Sequence, residues 1–249
     1  MKRRMTLSVD MVESCRRPEV DEGRHPDLTP MPNELYQPLI DRLLNESLDI
    51  GSLWVFAYGS LIWNPTFPWI EARRATAVGW HRSFCIEMQN WRGSRSQPGL
   101  MMALDRGGRC NGIAFRIADE NREGVVGNLV DAEIGYNEDV SSIRWLPLQT
   151  ADGPIRALTF YAGPVGPGVT RKLPLSDVAW RLARACGHVG PGAEYLYNTV
   201  VELEERGIQD RNLWTLQRLV ALEITFKSEP VKGSDQAASL TGKAIGDLA

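Results

Sequence analysis

The sequence predicts an α+β fold, and two observations support this class. Patterns typical of strands cluster in the middle of the 249-residue chain, whereas patterns typical of helices cluster toward its end. Strands and helices do not alternate regularly, as they would in a doubly wound parallel sheet. A chain of this length can bury one sizeable hydrophobic core and often forms a single domain.

The chain divides into four segments of different composition. Residues 1–33 carry four prolines among charged side chains, which predicts an extended or disordered arm. Residues 34–50 place apolar side chains at helical spacing and predict an N-terminal helix. We assign residues 51–227 to the main domain. Residues 228–249 lack an apolar period and are predicted to form a flexible tail.

Within the main domain, the apolar run from Leu53 to Tyr58 predicts a first, buried strand. Glycine-rich breaks at 93–99 and 107–108 are expected to separate the strands that follow. Asp119 is predicted to cap a helix that ends at Gly135. The remaining strands are predicted at 77–88, 100–104, 112–117, 143–148 and 155–161, and the helices at 120–134, 175–186, 192–206 and 211–224.

Charge and reactive side chains exclude several classes of protein. The 28 basic and 31 acidic residues give a formal net charge of −3, so the basic excess of a dedicated nucleic-acid binder is absent. The four cysteines are scattered without a C-x-x-C pair, which argues for a reducing compartment and against a zinc or disulfide framework. The three histidines are isolated as well. We therefore predict no metal. The chain also has no G-x-x-x-x-G-K-[ST] motif and no G-x-G-x-x-G motif after a strand, and we predict no cofactor.

The N-terminus and the hydropathy pattern give no sign of export or membrane insertion. Met-Lys-Arg-Arg begins the chain, but no apolar segment of a signal peptide follows it. No run approaches the roughly 18 apolar residues that a membrane span requires. The prediction is a cytoplasmic protein without a membrane partner.

The loop after the first strand is the first candidate site. Gly59 and Ser60 follow the buried strand directly, where successive backbone N–H groups can form a small anion nest. Glycine allows a ligand to approach the backbone closely, and serine adds a hydroxyl. An ordinary strand-to-loop turn explains the same pair of residues, and the spacing alone favours that simpler interpretation.

Glu133 is the second candidate, because a carboxylate stands where a leucine is expected. Val126, Leu129 and Val130 form an apolar stripe, and position 133 continues it on the same helix face. Burial there, together with the negative end of the helix dipole, would raise the pKa of the carboxyl above about 4.3. Such a group can take and return a proton near neutral pH. Alternatively, the helix ends earlier and Glu133 points to water.

Arginine is used far more than lysine, and residues 71–109 hold seven Arg and no Lys, with aromatic residues interleaved. This pattern is compatible with single-stranded nucleic acid or with a pocket that binds carboxylates. A general preference for Arg along the chain explains most of it. No nucleic-acid partner is predicted.

The stretch from Phe56 to Pro65 reads F-A-Y-G-S-L-I-W-N-P and resembles the ChaC-type γ-glutamylcyclotransferases. The family pattern is F-x-Y-G-S-L-hydrophobic-W-x-P. Four further segments match in the right order, so that the resemblance covers roughly residues 53–224. They are Trp91-Arg92-Gly93 with Gln97-Pro98-Gly99, Cys110 to Phe115, Glu133 with Gly135-Tyr136, and Gly192 to Leu196.

The resemblance implies a small mixed β-barrel flanked by helices, with residues 51–227 as the γ-glutamylcyclotransferase-like domain. It also implies a carbon–nitrogen lyase that converts γ-glutamyl compounds, usually glutathione, to 5-oxoproline, releasing Cys-Gly from glutathione. Glu133 would be the catalytic acid and base. Substrate binding would fall to Tyr58, Gly59, Ser60, Leu61, Arg92, Tyr136 and Tyr195. The alternative is a non-catalytic module that binds γ-glutamyl ligands or regulates another protein.

Two positions differ from the pattern of the glutathione-acting relatives. Those relatives usually carry Arg where this chain has Leu100 and Ala132. Either Arg82 or Arg92 could supply the missing carboxylate-binding group, and the sequence does not choose between them.

Overall fold

The computed structural model describes residues 4–164, 168–170 and 172–228. The α-helices are α1 (Val9–Ser14), α2 (Tyr36–Ile50), α3 (Ser60–Trp63), α4 (Arg122–Glu133), α5 (Leu175–Arg184), α6 (Gly192–Glu205) and α7 (Arg211–Ser228). The strands are β1 (Trp54–Ala57), β2 (Glu71–Met88), β3 (Gly99–Arg116), β4 (Ile143–Thr150), β5 (Gly153–Phe160), β6 (Cys186–Gly187) and β7 (Gly190–Pro191). Short 3₁₀ helices lie at Asn33–Leu35, Asp119–Asn121 and Asn137–Ser142.

Five strands close into a barrel in the order β1-β3-β2-β4-β5. Neighbours pair antiparallel except at the closure, where Val55 of β1 meets Leu158 of β5 in parallel. Strands β6 and β7 form a separate two-stranded sheet. The prediction of an α+β fold with a mixed barrel is confirmed.

Strand β1 is buried on both faces, which explains its continuous apolar sequence. Trp54 and Phe56 belong to the cluster of side chains shared with β2, β4 and β5. Val55 and Ala57 belong to the larger cluster that includes the helices. The strand that leads into the candidate loop is therefore fixed between two hydrophobic cores.

The expected break at Gly107 and Gly108 is wrong, because β3 continues through it. Both glycines adopt positive φ angles, and Gly79 on the opposite strand does the same. The pairing register between β2 and β3 shifts at this point, which is the geometry of a β-bulge. Glycine here bends a long hairpin instead of ending a strand.

The N-terminal arm also differs from the prediction of an extended or disordered segment. Helix α1 forms there, and the side-chain oxygen of Ser8 caps it by accepting a hydrogen bond from the N–H of Met11. Leu7, Val12 and Met31 are buried in the main core. Apolar residues spaced too widely to give a periodic pattern still anchor this segment to the rest of the chain.

The long helices lie near their predicted positions and surround the barrel. Helix α2 packs on α4, while α5, α6 and α7 pack on one another. Asp119 begins a 3₁₀ turn, so Asn121 takes the N-cap position of α4 that was predicted for Asp119. The predicted tail, residues 228–249, lies outside the described residues apart from Ser228. Within the described part of the chain, each helix is too short or too polar to span a bilayer.

Candidate active site

The predicted site residues other than Tyr136 come from four parts of the fold, and the loop 58–61, Glu133 and Arg92 each interact with Tyr195. The loop 58–61 connects β1 to α3, Glu133 is the last residue of α4, and Arg92 lies between β2 and β3. Tyr195 lies in the first turn of α6, and its hydroxyl accepts a hydrogen bond from the Ser60 N–H at 3.1 Å. The Arg92 guanidinium is 5.9 Å from the centre of the Tyr195 ring. The negative charge of Glu133 acts on the same tyrosine.

Glu133 lies on the buried face of α4, as its spacing predicted. Val126, Leu129 and Val130 on that face are fully buried. Burial, and to a smaller degree the negative charge of Asp139, raises the pKa of Glu133 to about 7. The residue as a whole is only half-buried, and its carboxyl makes no hydrogen bond to another described residue. It is therefore a reachable group that can hold or release a proton at neutral pH.

Asp139 fixes the backbone that follows Glu133, and sequence reasoning did not single it out. Its carboxylate accepts hydrogen bonds from the N–H groups of Gly135 at 3.0 Å and Tyr136 at 2.9 Å. This contact holds the turn after α4 and keeps a second negative charge near Glu133.

The loop 58–61 uses glycine because Tyr195 lies directly against it. A Cβ on Gly59 would lie 2.7 Å from the Tyr195 hydroxyl oxygen. The Ser60 N–H is already engaged with that hydroxyl, whereas the N–H groups of Gly59 and Leu61 donate to no described residue. Two donors next to a tyrosine hydroxyl form a small polar surface suited to an anion or a developing oxyanion.

Tyr58 has a different role from its neighbours in the loop. Its hydroxyl donates to the carbonyl of Phe160 at 2.8 Å. Burial, followed by the charge of Glu133, raises the pKa of Tyr58 well above its usual value. Tyr58 thus ties the end of β1 to β5 and stays neutral beside Glu133.

Aromatic side chains surround Tyr195, and motif matching did not identify this set as a group. Trp63 and Phe84 meet the Tyr195 ring edge-on at centroid distances of 5.7 and 5.8 Å. The indole N–H of Trp63 donates to Thr199, which in turn donates to the Tyr195 carbonyl. These contacts fix the orientation of the phenol, since each neighbour is itself hydrogen-bonded or packed.

Arg82 and Arg92, which the sequence left as alternative carboxylate-binding groups, have different surroundings in the structure. Arg82 has a side chain only 2% exposed, and it bonds to Asp210 at 3.1 Å and to the carbonyls of Tyr58 and Asn111. It is a buried structural group. Arg92 remains partly exposed and faces Tyr195. Leu100 lies in the core, and Ala132 is exposed.

Arg92 pairs with Glu194, the residue before Tyr195. Its Nη1 lies 2.5 Å from Oε2 of Glu194 and 3.1 Å from the Pro191 carbonyl. Although burial opposes the effect, hydrogen bonds and charges from Arg92 and Arg16 lower the pKa of Glu194. Its carboxylate therefore stays ionised between two guanidinium groups.

Tyr136 lies beside the turn that follows Glu133. Its hydroxyl accepts a hydrogen bond from the backbone N–H of His25 at 2.7 Å. The tyrosine is half-buried. It connects the turn after α4 to the N-terminal segment, a contact that its place in a family motif did not reveal.

Most arginines of the 71–109 region are engaged within the chain. Arg73 pairs with Glu71 and lies over Trp54, while Arg106 lies over Trp80. In these contacts the arginines take part in ion pairing and packing within the chain. In the described ranges, His, Cys, Asp and Glu do not form a group of three or more that could hold a metal ion.

The amino-acid sequence that forms the barrel and its helices matches a known protein family. Residues 53–223 match the family described as ChaC-like protein. The glutathione-specific γ-glutamylcyclotransferase of Escherichia coli (strain K12) is 36% identical over 166 residues, covering 66% of this chain and 71% of the relative. Glutathione-specific γ-glutamylcyclotransferase 1 of Homo sapiens is 31% identical over 160 residues, covering 59% and 68%.

Solved structures show the same fold at low sequence identity. A crystal structure of a glutathione-specific γ-glutamyl cyclotransferase from yeast aligns with a TM-score of 0.62 and 16% identity. The alignment covers 69% of this chain and 96% of the yeast chain. At this identity the likeness supports the fold of the barrel and its helices.

Proposed function

The chain belongs to the ChaC-like family, and from this premise we propose that it cleaves the γ-glutamyl bond of glutathione, giving 5-oxoproline and Cys-Gly. The observation that carries the proposal is the position of Glu133. A carboxyl with a pKa raised to about 7 lies near Tyr195 and the loop 58–61, within the region shared with the family. The Escherichia coli and human relatives act on glutathione according to their names.

The reaction needs little from the protein, because the substrate carries its own nucleophile. The α-amino nitrogen attacks the γ-carbonyl carbon, a five-membered ring closes, and the bond from that carbon to the cysteine nitrogen breaks. Well-oriented intramolecular attack can have an effective molarity of about 10⁵–10⁸ M. Folding the γ-glutamyl chain into the reactive conformation is therefore the main task of the binding residues.

Glu133 would move a proton between the two reacting nitrogens. In all, the α-ammonium nitrogen loses two protons as it becomes the lactam N–H, and the amide nitrogen of the leaving fragment gains two as it becomes an ammonium; Glu133 would carry one of them, and the second would exchange through solvent. As a carboxylate it takes a proton from the α-ammonium group, which makes the nitrogen nucleophilic. As a carboxylic acid it returns that proton to the leaving amine. A pKa near 7 suits both steps at neutral pH, because neither protonation state is strongly disfavoured.

The polar surface of the loop would receive the negative charge of the substrate. The N–H groups of Gly59 and Leu61 suit the α-carboxylate or the oxyanion that develops on the γ-carbonyl. Tyr195 has accepted the Ser60 N–H and keeps its own hydrogen for donation. The aromatic rings around it limit access of water to that hydrogen bond.

A substrate panel tests the proposal. The protein is incubated with glutathione, γ-glutamyl amino acids and γ-glutamylamines, and 5-oxoproline is measured. We expect product from glutathione at the highest kcat/KM. Absence of product from every compound would contradict the enzyme, and binding by calorimetry without turnover would indicate the non-catalytic module instead. Turnover of the amino-acid conjugates in preference to glutathione would contradict the choice of substrate.

A further inference from the structure

The segment between α1 and the first 3₁₀ helix contacts residues on both sides of the candidate site, although it lies outside the residues that match the family. We call residues 16–31 the strap. Its start contacts the α5–α6 region: Arg16 reaches Glu194 at 2.5 Å, and Arg17 donates to the carbonyl of Arg184 at 2.8 Å. The strap therefore begins beside the residue that precedes Tyr195.

The middle of the strap contacts the loop that carries Arg92. Glu22 accepts a hydrogen bond from the Arg95 N–H at 2.6 Å. The side-chain amide of Asn90 donates to the carbonyl of Gly23 at 3.0 Å. Both contacts come from residues within three positions of Arg92.

The end of the strap contacts the turn that follows Glu133. The N–H of Met31 donates to the Gly135 carbonyl at 3.1 Å, and the N–H of Asn137 donates to Thr29 at 2.9 Å. The His25 N–H reaches the Tyr136 hydroxyl. The strap thus joins the Arg92 side of the site to the Glu133 side.

Arg92 is held so that part of its guanidinium remains available. Only Nη1 is engaged, with Glu194 and the Pro191 carbonyl, whereas Nε and Nη2 make no hydrogen bond to a described residue. The Nε–Nη2 edge can bind a carboxylate through two parallel hydrogen bonds. The carbonyl of Trp91, a residue with a φ of 58°, accepts a hydrogen bond from the N–H of Val189, and this contact fixes the backbone just before Arg92.

Arg16 and Arg92 share Glu194, one oxygen each. Nη2 of Arg16 lies 2.5 Å from Oε1, and Nη1 of Arg92 lies 2.5 Å from Oε2. Glu13 in α1 also pairs with Arg16, with its Oε2 at 3.0 Å from Nε. With its first oxygen engaged by Arg16, Glu194 offers Arg92 only a one-point contact.

We propose that Arg16 of the strap is a positioning residue for substrate specificity: through Glu194 it orients Arg92 to bind the carboxylate at the end of the leaving fragment. In glutathione this is the glycine carboxylate. The inference rests on the proposed function. It assigns the N-terminal segment to the active site. It also explains how this chain could recognise the leaving fragment although Ala132 and Leu100 stand where the glutathione-acting relatives usually carry Arg.

The test compares glutathione with its glycinamide, which keeps the γ-glutamyl group and lacks the terminal carboxylate. We expect Arg16→Ala to raise the KM for glutathione roughly three- to tenfold with little change in kcat. The KM for the glycinamide should stay the same. Glu194→Gln should act in the same direction as Arg16→Ala, and Arg16→Lys should recover part of the affinity. Arg24→Ala, an exposed strap arginine that makes no hydrogen bond or ion pair to a described residue, is the matched control.

The outcomes separate this inference from the proposed function. Equal effects of Arg16→Ala on the KM of both substrates, or no effect on either, would overturn the inference. The proposed function is tested separately, by turnover of glutathione in the wild-type protein. Calorimetry with the Glu133→Gln protein gives a readout without turnover. There, Arg16→Ala should weaken binding of glutathione and leave binding of the glycinamide unchanged, and any other pattern contradicts the role of Arg16.

Discussion

The hydroxyl of Tyr195 accepts a hydrogen bond from the N–H of Ser60, and this contact joins helix α6 to the loop that follows β1. The two residues are 135 positions apart in the chain. The contact places a phenol against Gly59 and beside Glu133, so that the loop, the helix and the carboxylate form one site. A substitution in any one of these three parts should therefore alter the geometry or the protonation of the other two.

Replacing Glu133 with Gln should reduce turnover at least a hundredfold and leave the fold intact. The amide keeps the shape of the side chain but cannot accept and return a proton. General acid–base groups contribute about 10²–10⁴-fold in rate, and we expect a loss in that range or larger. The measurement is 5-oxoproline release from glutathione. Asp131→Asn, an exposed carboxylate on the same helix, is the matched control and should retain activity.

The rate should depend on pH through the ionisation of Glu133. Its carboxylate is the form that accepts the proton, so kcat/KM should rise with pH and level off above about 7. The charge of Asp139 contributes to the raised pKa, so Asp139→Asn should move the midpoint to lower pH. A profile that is the same in wild type and Glu133→Asp would contradict the assignment.

The free energy of unfolding should also depend on the ionisation of Glu133. It should fall with rising pH, whereas the reaction rate should rise. A carboxyl with a folded pKa of about 7 and an ordinary value of 4.5 holds its proton more tightly in the folded state. Its contribution is complete below the ordinary pKa and is lost as pH rises through the folded pKa. The loss is roughly 3 kcal/mol at most, and smaller to the extent that water screens this half-buried side chain. Chemical denaturation should show this fall for wild type, and Glu133→Gln should lack it.

Substitutions at Gly59 and Tyr195 should be coupled. Gly59→Ala places a methyl group 2.7 Å from the Tyr195 hydroxyl, so it should displace the phenol and reduce kcat/KM by about tenfold or more. In a Tyr195→Phe background the clash is relieved, because the ring carbon beneath the hydroxyl is 3.8 Å away. The double variant should therefore lose little beyond Tyr195→Phe alone. Additive losses would show that the two residues act independently.

Arg82 should behave as a structural residue. Arg82→Met removes the partner of Asp210 and the side-chain donors to the carbonyls of Tyr58 and Asn111. Breaking a buried pair in this way costs about 3–5 kcal/mol, which a denaturation midpoint measures. The preference between glutathione and other γ-glutamyl compounds should not change. A changed preference at unchanged stability would instead assign Arg82 to substrate binding.

Local patterns in the sequence determined much of the architecture. The apolar run ending at Tyr58 predicted a buried strand, and β1 is buried on both faces because it lies between two hydrophobic clusters. The 3.6-residue period placed Glu133 on the buried face of α4. Signals that depend on adjacent residues, such as caps, periods and turns, are readable because the interactions that cause them are local.

Contacts between distant segments were decided only by the tertiary structure. The anchoring of the N-terminal segment, the bulge at Gly107 and Gly108, and the burial of Arg82 each depend on partners far along the chain. No periodic pattern in residues 4–33 indicated that Arg16 would share Glu194 with Arg92. The local helical period was enough to identify the carboxylate of Glu133. The residues that surround it come from distant parts of the chain, and their positions depend on long-range packing that only the tertiary structure shows.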